Sequence, residues 1–244
     1  MKKFLILLSL CLTALTHQAQ EPDSDMLQKA RQGDAESQNN VGLFYLRNGN
    51  EHEALKWWEL AANQGYVSAQ ANLGEYYGIH NEYDKALKWV VPAANSGSPN
   101  AAYRLAIFYR DGKGVERNIE EALKWSLKSA EGGQKDAYLL TGNIYEKYFG
   151  DKTNATLWYK LAADNGDPKA LNWFGAEMMK TGNKEAGFDY FIKAANKGYA
   201  PAQRNVALYY YNSHQYDAAK SWLRRAAGQG DEKAIELLRK PQFQ

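Results

Sequence analysis

The stretch Ala54-Leu55-Lys56-Trp57-Trp58-Glu59-Leu60-Ala61-Ala62-Asn63-Gln64-Gly65 decides the fold, because it recurs. It returns as Ala86-Leu87-Lys88-Trp89 with Ala93-Ala94-Asn95-Ser96-Gly97, and as Ala122-Leu123-Lys124-Trp125 with Ala130-Glu131-Gly132-Gly133. Further copies are Ala155, Trp158 and Ala162-Ala163-Asp164-Asn165-Gly166, then Tyr190 with Ala194-Ala195-Asn196-Lys197-Gly198, then Ala219, Trp222 and Ala226-Ala227-Gly228-Gln229-Gly230. The closing glycines Gly33, Gly65, Gly97, Gly133, Gly166, Gly198 and Gly230 are spaced 32, 32, 36, 33, 32 and 32. A second marker keeps step with them: Gly42, Gly74, Ala106, Gly142, Gly175, Ala207. A third is Tyr45, Tyr77, Tyr109, Tyr145, Met178, Tyr210. Three markers in one register, at a period of this size, mean a solenoid of stacked supersecondary units.

Each unit reads as two helices. In the first, Ala69, Leu73, Tyr76 and Tyr77 recur at helical spacing; in the second, Ala86, Trp89, Val90 and Ala93 do so. Ser98-Pro99 and Asp167-Pro168 place a capping side chain before a first-turn proline, and Asp34 and Asp231 cap likewise. Asn50, Asn81, Asp151 and Asn183 fall where second helices begin, and each second helix ends at a glycine suited to the left-handed conformation of a helix C-terminus. Gly42 and Gly74 on first helices, with Ala54 and Ala86 on second helices, predict close approach of the pair. Trp57, Trp89, Trp125, Trp158 and Trp222 are expected to fill the space between units.

The reading divides the chain into a signal segment 1–19, a lead-in 20–25 and a repeat region 26–240. The units run about 34–65, 66–97, 98–133, 134–166, 167–198 and 199–230, with a capping helix over 231–240. Met1-Lys2-Lys3 followed by the apolar run Phe4 to Leu15, with Ala19 as a candidate cleavage position, has the pattern of a secretory signal peptide. The run of about 12 residues falls short of the ~20 that span a bilayer, so no stable membrane insertion is expected after cleavage. Cys11, the single cysteine, lies in that run behind Leu10, which does not suit a lipidation site. The mature chain then carries no disulfide and depends on packing. The sequence has 30 basic and 28 acidic residues; without Lys2 and Lys3 the two counts are equal at 28. A neutral chain lacks the electrostatic footprint of a nucleic-acid binder.

The unit from Ala101 to Gly133 carries the long inter-helix loop Tyr109-Arg110-Asp111-Gly112-Lys113-Gly114-Val115-Glu116-Arg117-Asn118. With it, the chain resembles the Sel-1-like repeat family. Leu73-Gly74, Tyr77, Gly112-Lys113-Gly114-Val115, Lys85-Ala86, Trp89 and Ala93-Ala94-Asn95-Ser96-Gly97 match that family's unit piecewise, over about residues 26–240. The other units lack the Gly-x-Gly loop and approach tetratricopeptide length. The tight link Ala62-x-x-Gly65-x-x-x-Ala69 favours the Sel-1-like form. Either resemblance implies an all-α fold, a right-handed α-solenoid. Some exported members of the wider family are cysteine-rich, carry a disulfide in each unit and are linked to β-lactam binding or hydrolysis; this chain does not share that pattern.

Catalytic patterns are weak. Gly112-Lys113-Gly114 superficially resembles a phosphate loop, but no strand precedes it and the glycine pattern is too short. His52, His80 and His214 sit in inter-helix turns, and His214 lies several units from the other two. There is no Gly-x-Ser-x-Gly elbow and no His-Glu-x-x-His helix. The expectation is a protein without catalysis, cofactor or metal. Asn154-Ala155-Thr156 fits a glycosylation sequon, but Ala155 belongs to the repeat.

What remains is a surface. Counted from the Gly42 marker, positions three before, one after and four after share one face of the first helix. That face, expected to line the concave side, supplies Asn39, Tyr103, Arg110, Asn172, Arg204 and Tyr211, with Arg47 and Lys180 just beyond. Tyr and Arg are frequent hot spots of protein interfaces. The function expected is an exported scaffold that binds another protein or peptide through this face, in the manner of an inhibitor, immunity protein or envelope adaptor. The alternatives are an enzyme acting on cell-wall or β-lactam substrates, and a receptor for peptidoglycan fragments.

Overall fold

The computed structural model describes residues 21–243. The signal segment and Cys11 lie outside the described residues. The chain is an all-α solenoid of paired helices, and its described residues divide between Ser98 and Pro99 into two compact units.

The first unit holds α1 (Ser24–Arg31), α2 (Ala35–Arg47), α3 (Glu51–Asn63), α4 (Val67–Ile79) and α5 (Tyr83–Asn95). The tightest neighbours are the pairs α2/α3 and α4/α5. The second unit holds α6 (Pro99–Asp111), α7 (Ile119–Glu131), α8 (Lys135–Ile144), α9 (Lys152–Asp164), α10 (Pro168–Lys180), α11 (Lys184–Asn196), α12 (Ala200–Asn212), α13 (Tyr216–Ala227) and α14 (Glu232–Leu238). Its pairs are α6/α7, α8/α9, α10/α11 and α12/α13, and α14 packs on α13.

Local chemistry sets the helix ends. Asp34, Asn50, Asn118, Asp151, Asp167, Asn183 and Asp231 each accept a hydrogen bond from a first-turn backbone N–H, relieving donors that a helix start leaves unpaired. Asn81 behaves differently from expectation. It takes a left-handed φ of 62° in the turn, and Glu82 stands at the cap position without a side-chain bond. Gly49 and Gly182 occupy the same place in other turns, and Asn is among the side chains that tolerate this conformation. At Gly65, φ is +83°; its N–H reaches Ala62 O at 2.9 Å and the Tyr66 N–H reaches Ala61 O at 3.1 Å. These are the two bonds of a Schellman ending.

The core is a ladder of alanines and one large residue per second helix. Ala54, Ala86, Ala122, Ala155 and Ala219 are fully buried. The expectation for the tryptophans needs correction. Trp89 and Trp125 are buried, but Trp57, Trp158 and Trp222 are only half-buried. The innermost position is the next residue along: Trp58, Val90, Ser126, Tyr159, Phe191 and Leu223. Adjacent helical residues point about 100° apart, and this position faces the glycine of the partner helix. A Cβ on Gly42 would stand 2.5 Å from Trp58, on Gly74 2.4 Å from Val90, on Gly142 2.6 Å from Tyr159 and on Gly175 2.4 Å from Phe191. Where the first helix carries Ala106 instead, the opposing register position is the small Ser126. Volume is thus traded across these five pairs, as close packing requires; in α12/α13 the register instead sets the large Leu223 opposite Ala207.

A recurrent polar joint ties one pair to the next. Gln38 Nε2 donates to Ala30 O, Gln70 Nε2 to Ala62 O and Gln203 Nε2 to Ala195 O, at 3.0, 3.2 and 3.3 Å. These buried amides satisfy carbonyls at the end of the preceding helix.

Candidate binding face

In the second unit the first helices are α6, α8, α10 and α12. They carry six of the residues singled out in the sequence, of which only Lys180 is exposed and the others are half-buried, and the structure gives several of them intramolecular partners. Arg110 grips its neighbour Asp111 with two bonds, Nε to Oδ1 at 2.6 Å and NH2 to Oδ2 at 2.8 Å. This hydrogen-bonded pairing holds the Asp111 carboxyl below the usual carboxylate range. Arg117, from the long loop, donates Nε–H to the Arg110 carbonyl at 3.1 Å and lies over the Tyr148 ring at 5.3 Å. The Gly-x-Gly loop is thereby pinned to the face, with Gly112 and Gly114 both at φ 69°. Tyr103 is half-buried about two turns earlier on α6.

The next first helix is modified. After α8 the chain makes a π-helical turn, Tyr145–Phe149, closed by Gly150 in the left-handed region. This accounts for the 33-residue spacing of that unit: the extra residue widens the last helical turn. The turn brings Glu146 to the Tyr159 hydroxyl, which lies 2.8 Å from Glu146 Oε2 and 2.9 Å from Asn143 Oδ1. Burial first, and the Glu146 bond second, push the Tyr159 phenol well above its ordinary value.

Asn172 is half-buried and accepts from Asn205 Nδ2 at 2.9 Å, joining α10 to α12. Arg204 is ion-paired with Asp231, the cap of α14; the two side chains are 19% and 7% exposed. Burial acts to raise the Asp231 carboxyl, but the hydrogen bonds from Arg204 and the Ala234 N–H outweigh it, and the group sits below the usual range. Tyr211 is covered by the C-terminal turn Pro241–Phe243. Its hydroxyl accepts from Gln242 Nε2 at 3.2 Å, and its ring lies 5.6 Å from that of Phe243, which is buried. Lys180 is exposed and paired with Glu177 at 2.5 Å.

The two remaining positions lie in the first unit. Arg47 is exposed at the end of α2. Asn39 is 4% exposed, so its side chain does not belong to an open face: its Oδ1 accepts from Asn72 Nδ2 at 2.9 Å and its carbonyl accepts from Trp58 Nε1 at 3.2 Å. The pair Asn39/Asn72 repeats the geometry of Asn172/Asn205. In both cases the amide at this position joins successive first helices.

A cavity of about 380 Å³ opens between α10, α11 and α12. Met179 and Leu208, both on the expected face, form its apolar wall with Phe191 and Tyr209. Lys184, Asn205, Asn212 and Ser213 supply the polar side. Sequence reasoning missed these four. Lys184 belongs to the turn and first residue of a second helix, and only the stacking of the next pair brings α12 beside it. Among the described residues no three His, Cys, Asp or Glu side chains converge on a metal position, and no helix is long and apolar enough to cross a membrane.

A family model described as Sel1 repeat matches six times, over residues 35–66, 67–98, 99–134, 137–167, 169–199 and 200–231. Among solved structures, the chain resembles c5321, a protective antigen of uropathogenic Escherichia coli with the same repeat fold. The identity is 28% and the TM-score 0.70, over 87% of this chain and 50% of that one. It also resembles the immunity protein PA5088 of Pseudomonas aeruginosa, at 25% identity and TM-score 0.56, over 71% and 73% of the two chains. A curated relative, DAP3-binding cell death enhancer 1 of Rattus norvegicus, is 54% identical over 39 residues. That match spans only 8% of the relative's length, and the chain spans about half of c5321.

Proposed function

The chain belongs to the Sel1 repeat family, and from that membership we propose that it is an exported bacterial scaffold that binds another protein through the face built by its first helices. The observation that carries the reading is the face of α6 to α12. It combines side chains locked by their own network, such as Arg110 and Arg117, with an open, mixed polar and apolar cavity. A preorganised surface of this kind loses little entropy on binding. The specific version is an immunity-type inhibitor that neutralises a toxin or hydrolase in the periplasm. The likeness to an immunity protein over most of both chains supports it. The reading is of a scaffold without catalysis; turnover of a cell-wall or β-lactam substrate by the purified chain would overturn it.

The test starts from the mature chain used as bait on periplasmic extract. Each captured protein is identified, remade and titrated against the chain. Arg110→Glu combined with Leu208→Asp changes the first-helix face. Leu157→Asp combined with Leu161→Asp changes the exposed side of α9, a second helix. Loss of binding in the first variant alone supports the reading. Equal loss in both, or in neither, rejects the face.

A further inference from the structure

The geometry points to a peptide site: the cavity between α10, α11 and α12 takes an extended segment of a partner protein in which an acidic residue neighbours an apolar one. The inference rests on the protein-binding reading above and specifies its partner.

The cavity has two chemically distinct walls. Met179 and Leu208 form the apolar one, with Phe191 and Tyr209 beside them. A Cβ on Gly187 would lie 2.9 Å from Met179 Cγ, so this glycine is what lets Met179 seat against α11. Tyr209, beside Leu208, stacks on Phe188 with ring centroids 4.1 Å apart. Leu208 is 37% exposed, an apolar group presented to solvent inside a concavity. A volume of about 380 Å³ lies within the ~300–1,000 Å³ typical of ligand pockets. A leucine-sized side chain with its flanking backbone fits such a space.

The polar wall carries one positive charge and unused amide capacity. Lys180, four residues before Lys184, is neutralised by Glu177. Lys184 has no carboxylate within ion-pair distance among the described residues. Asn205 spends one N–H on Asn172 and keeps its other N–H and its Oδ1. The Asn212 amide makes no hydrogen bond among the described residues. Ser213 donates to Tyr209 O at 3.1 Å and retains its acceptor lone pairs. Amides that offer both donors and acceptors match the alternating N–H and C=O groups of an extended peptide. A lone ammonium beside them selects a carboxylate and disfavours a cation at the same place. Apolar wall, side-chain amides and cation together describe an acidic–apolar segment held as an extended chain.

The probe is a hexapeptide with acetylated and amidated ends and a Leu-Asp-Leu core, so that its only charge is the side-chain carboxylate. Counterparts carry Leu-Asn-Leu and Leu-Lys-Leu cores. Each is titrated calorimetrically against the whole mature chain and against Lys184→Glu, whose exposed position leaves folding intact; unchanged thermal melting checks this. The Asp peptide is expected to bind the wild type about tenfold or more tightly than the Asn peptide. Lys184→Glu should reverse the preference in favour of the Lys peptide. Leu208→Asp should weaken all three.

Equal binding of the Asp and Asn peptides overturns the inference, as does an unchanged preference in Lys184→Glu. So does the absence of binding up to about 1 mM, a level at which even a weak site gives heat. A protein partner bound through the first-helix face but indifferent to Lys184→Glu removes the peptide site and leaves the scaffold reading standing. Peptide binding that no identified protein partner competes with does the reverse.

Discussion

Gly175 on α10 lies so close to Phe191 on α11 that a methyl group at position 175 would stand 2.4 Å from the ring. The same ring lines the cavity between α10, α11 and α12, so helix approach and cavity wall depend on one contact. Gly175→Ala should therefore destabilise by about 1–3 kcal/mol through overpacking. This outweighs the ~0.5–1 kcal/mol that alanine gains over glycine within a helix. Chemical denaturation measures it; a variant as stable as the wild type would mean that α10 and α11 separate at no cost.

Trp125 is 6% exposed, donates Nε1–H to Glu121 at 3.0 Å and lies under the Lys128 ammonium at 4.5 Å. Trp125→Ala is expected to cost about 3–5 kcal/mol, as for other buried large-to-small changes. Trp158→Ala, at a half-buried position, should cost clearly less. Equal losses would contradict the burial pattern.

Ser126 and Ala106 occupy the positions where four other pairs have a large residue against a glycine, and both are fully buried. Ser126→Val alone should overpack and destabilise by about 1–3 kcal/mol. Adding Ala106→Gly restores the combination found in α4/α5, Gly74 against Val90, and should recover part of the loss. A double-mutant cycle reads the coupling; simple additivity would show that the two sites do not face each other.

The Arg204–Asp231 pair ties α12 to the start of α14, and the folded-state pKa of Asp231 is depressed. The sign follows from linkage. The stabilisation is fully present above the unfolded-state value of about 3.9 and is lost as pH falls through the lower folded-state value. Asp231→Asn keeps a good capping side chain but loses the charge. At neutral pH it should weaken the protein by on the order of 1–3 kcal/mol. The difference from wild type should vanish in acid. Amide exchange in α14 and melting curves against pH test this; a difference independent of pH would remove the charge from the account.

Much of the architecture was legible in the sequence. Gly65 and its counterparts mark helix ends because the left-handed backbone there suits glycine, and Asp34, Asn50 and Asp167 mark starts because their oxygens reach first-turn N–H groups. These are local rules, satisfied within a few residues. The 33-residue spacing announced a one-residue insertion, though not that it becomes the π-helical turn Tyr145–Phe149. Trp57 and Trp58 could not be ranked by periodicity, because both lie on a broad apolar stripe. The glycine on the facing helix makes the choice.

The candidate face was legible as a row of positions and not as chemistry. By their positions Arg204 and Tyr211 are contact residues, but Asp231 and Phe243, distant in sequence, pack against them. Asn39 read as a surface amide and is instead a buried joint between α2 and α4. Lys184 carried no signal, because its role depends on α12 packing beside it. The sequence by itself determined the repeat, the helix boundaries and the family, since these rest on backbone preferences and on spacing along one chain. Only the tertiary structure decided which side chains are spent on internal joints and which stay open, because that depends on what the next helix pair places opposite them.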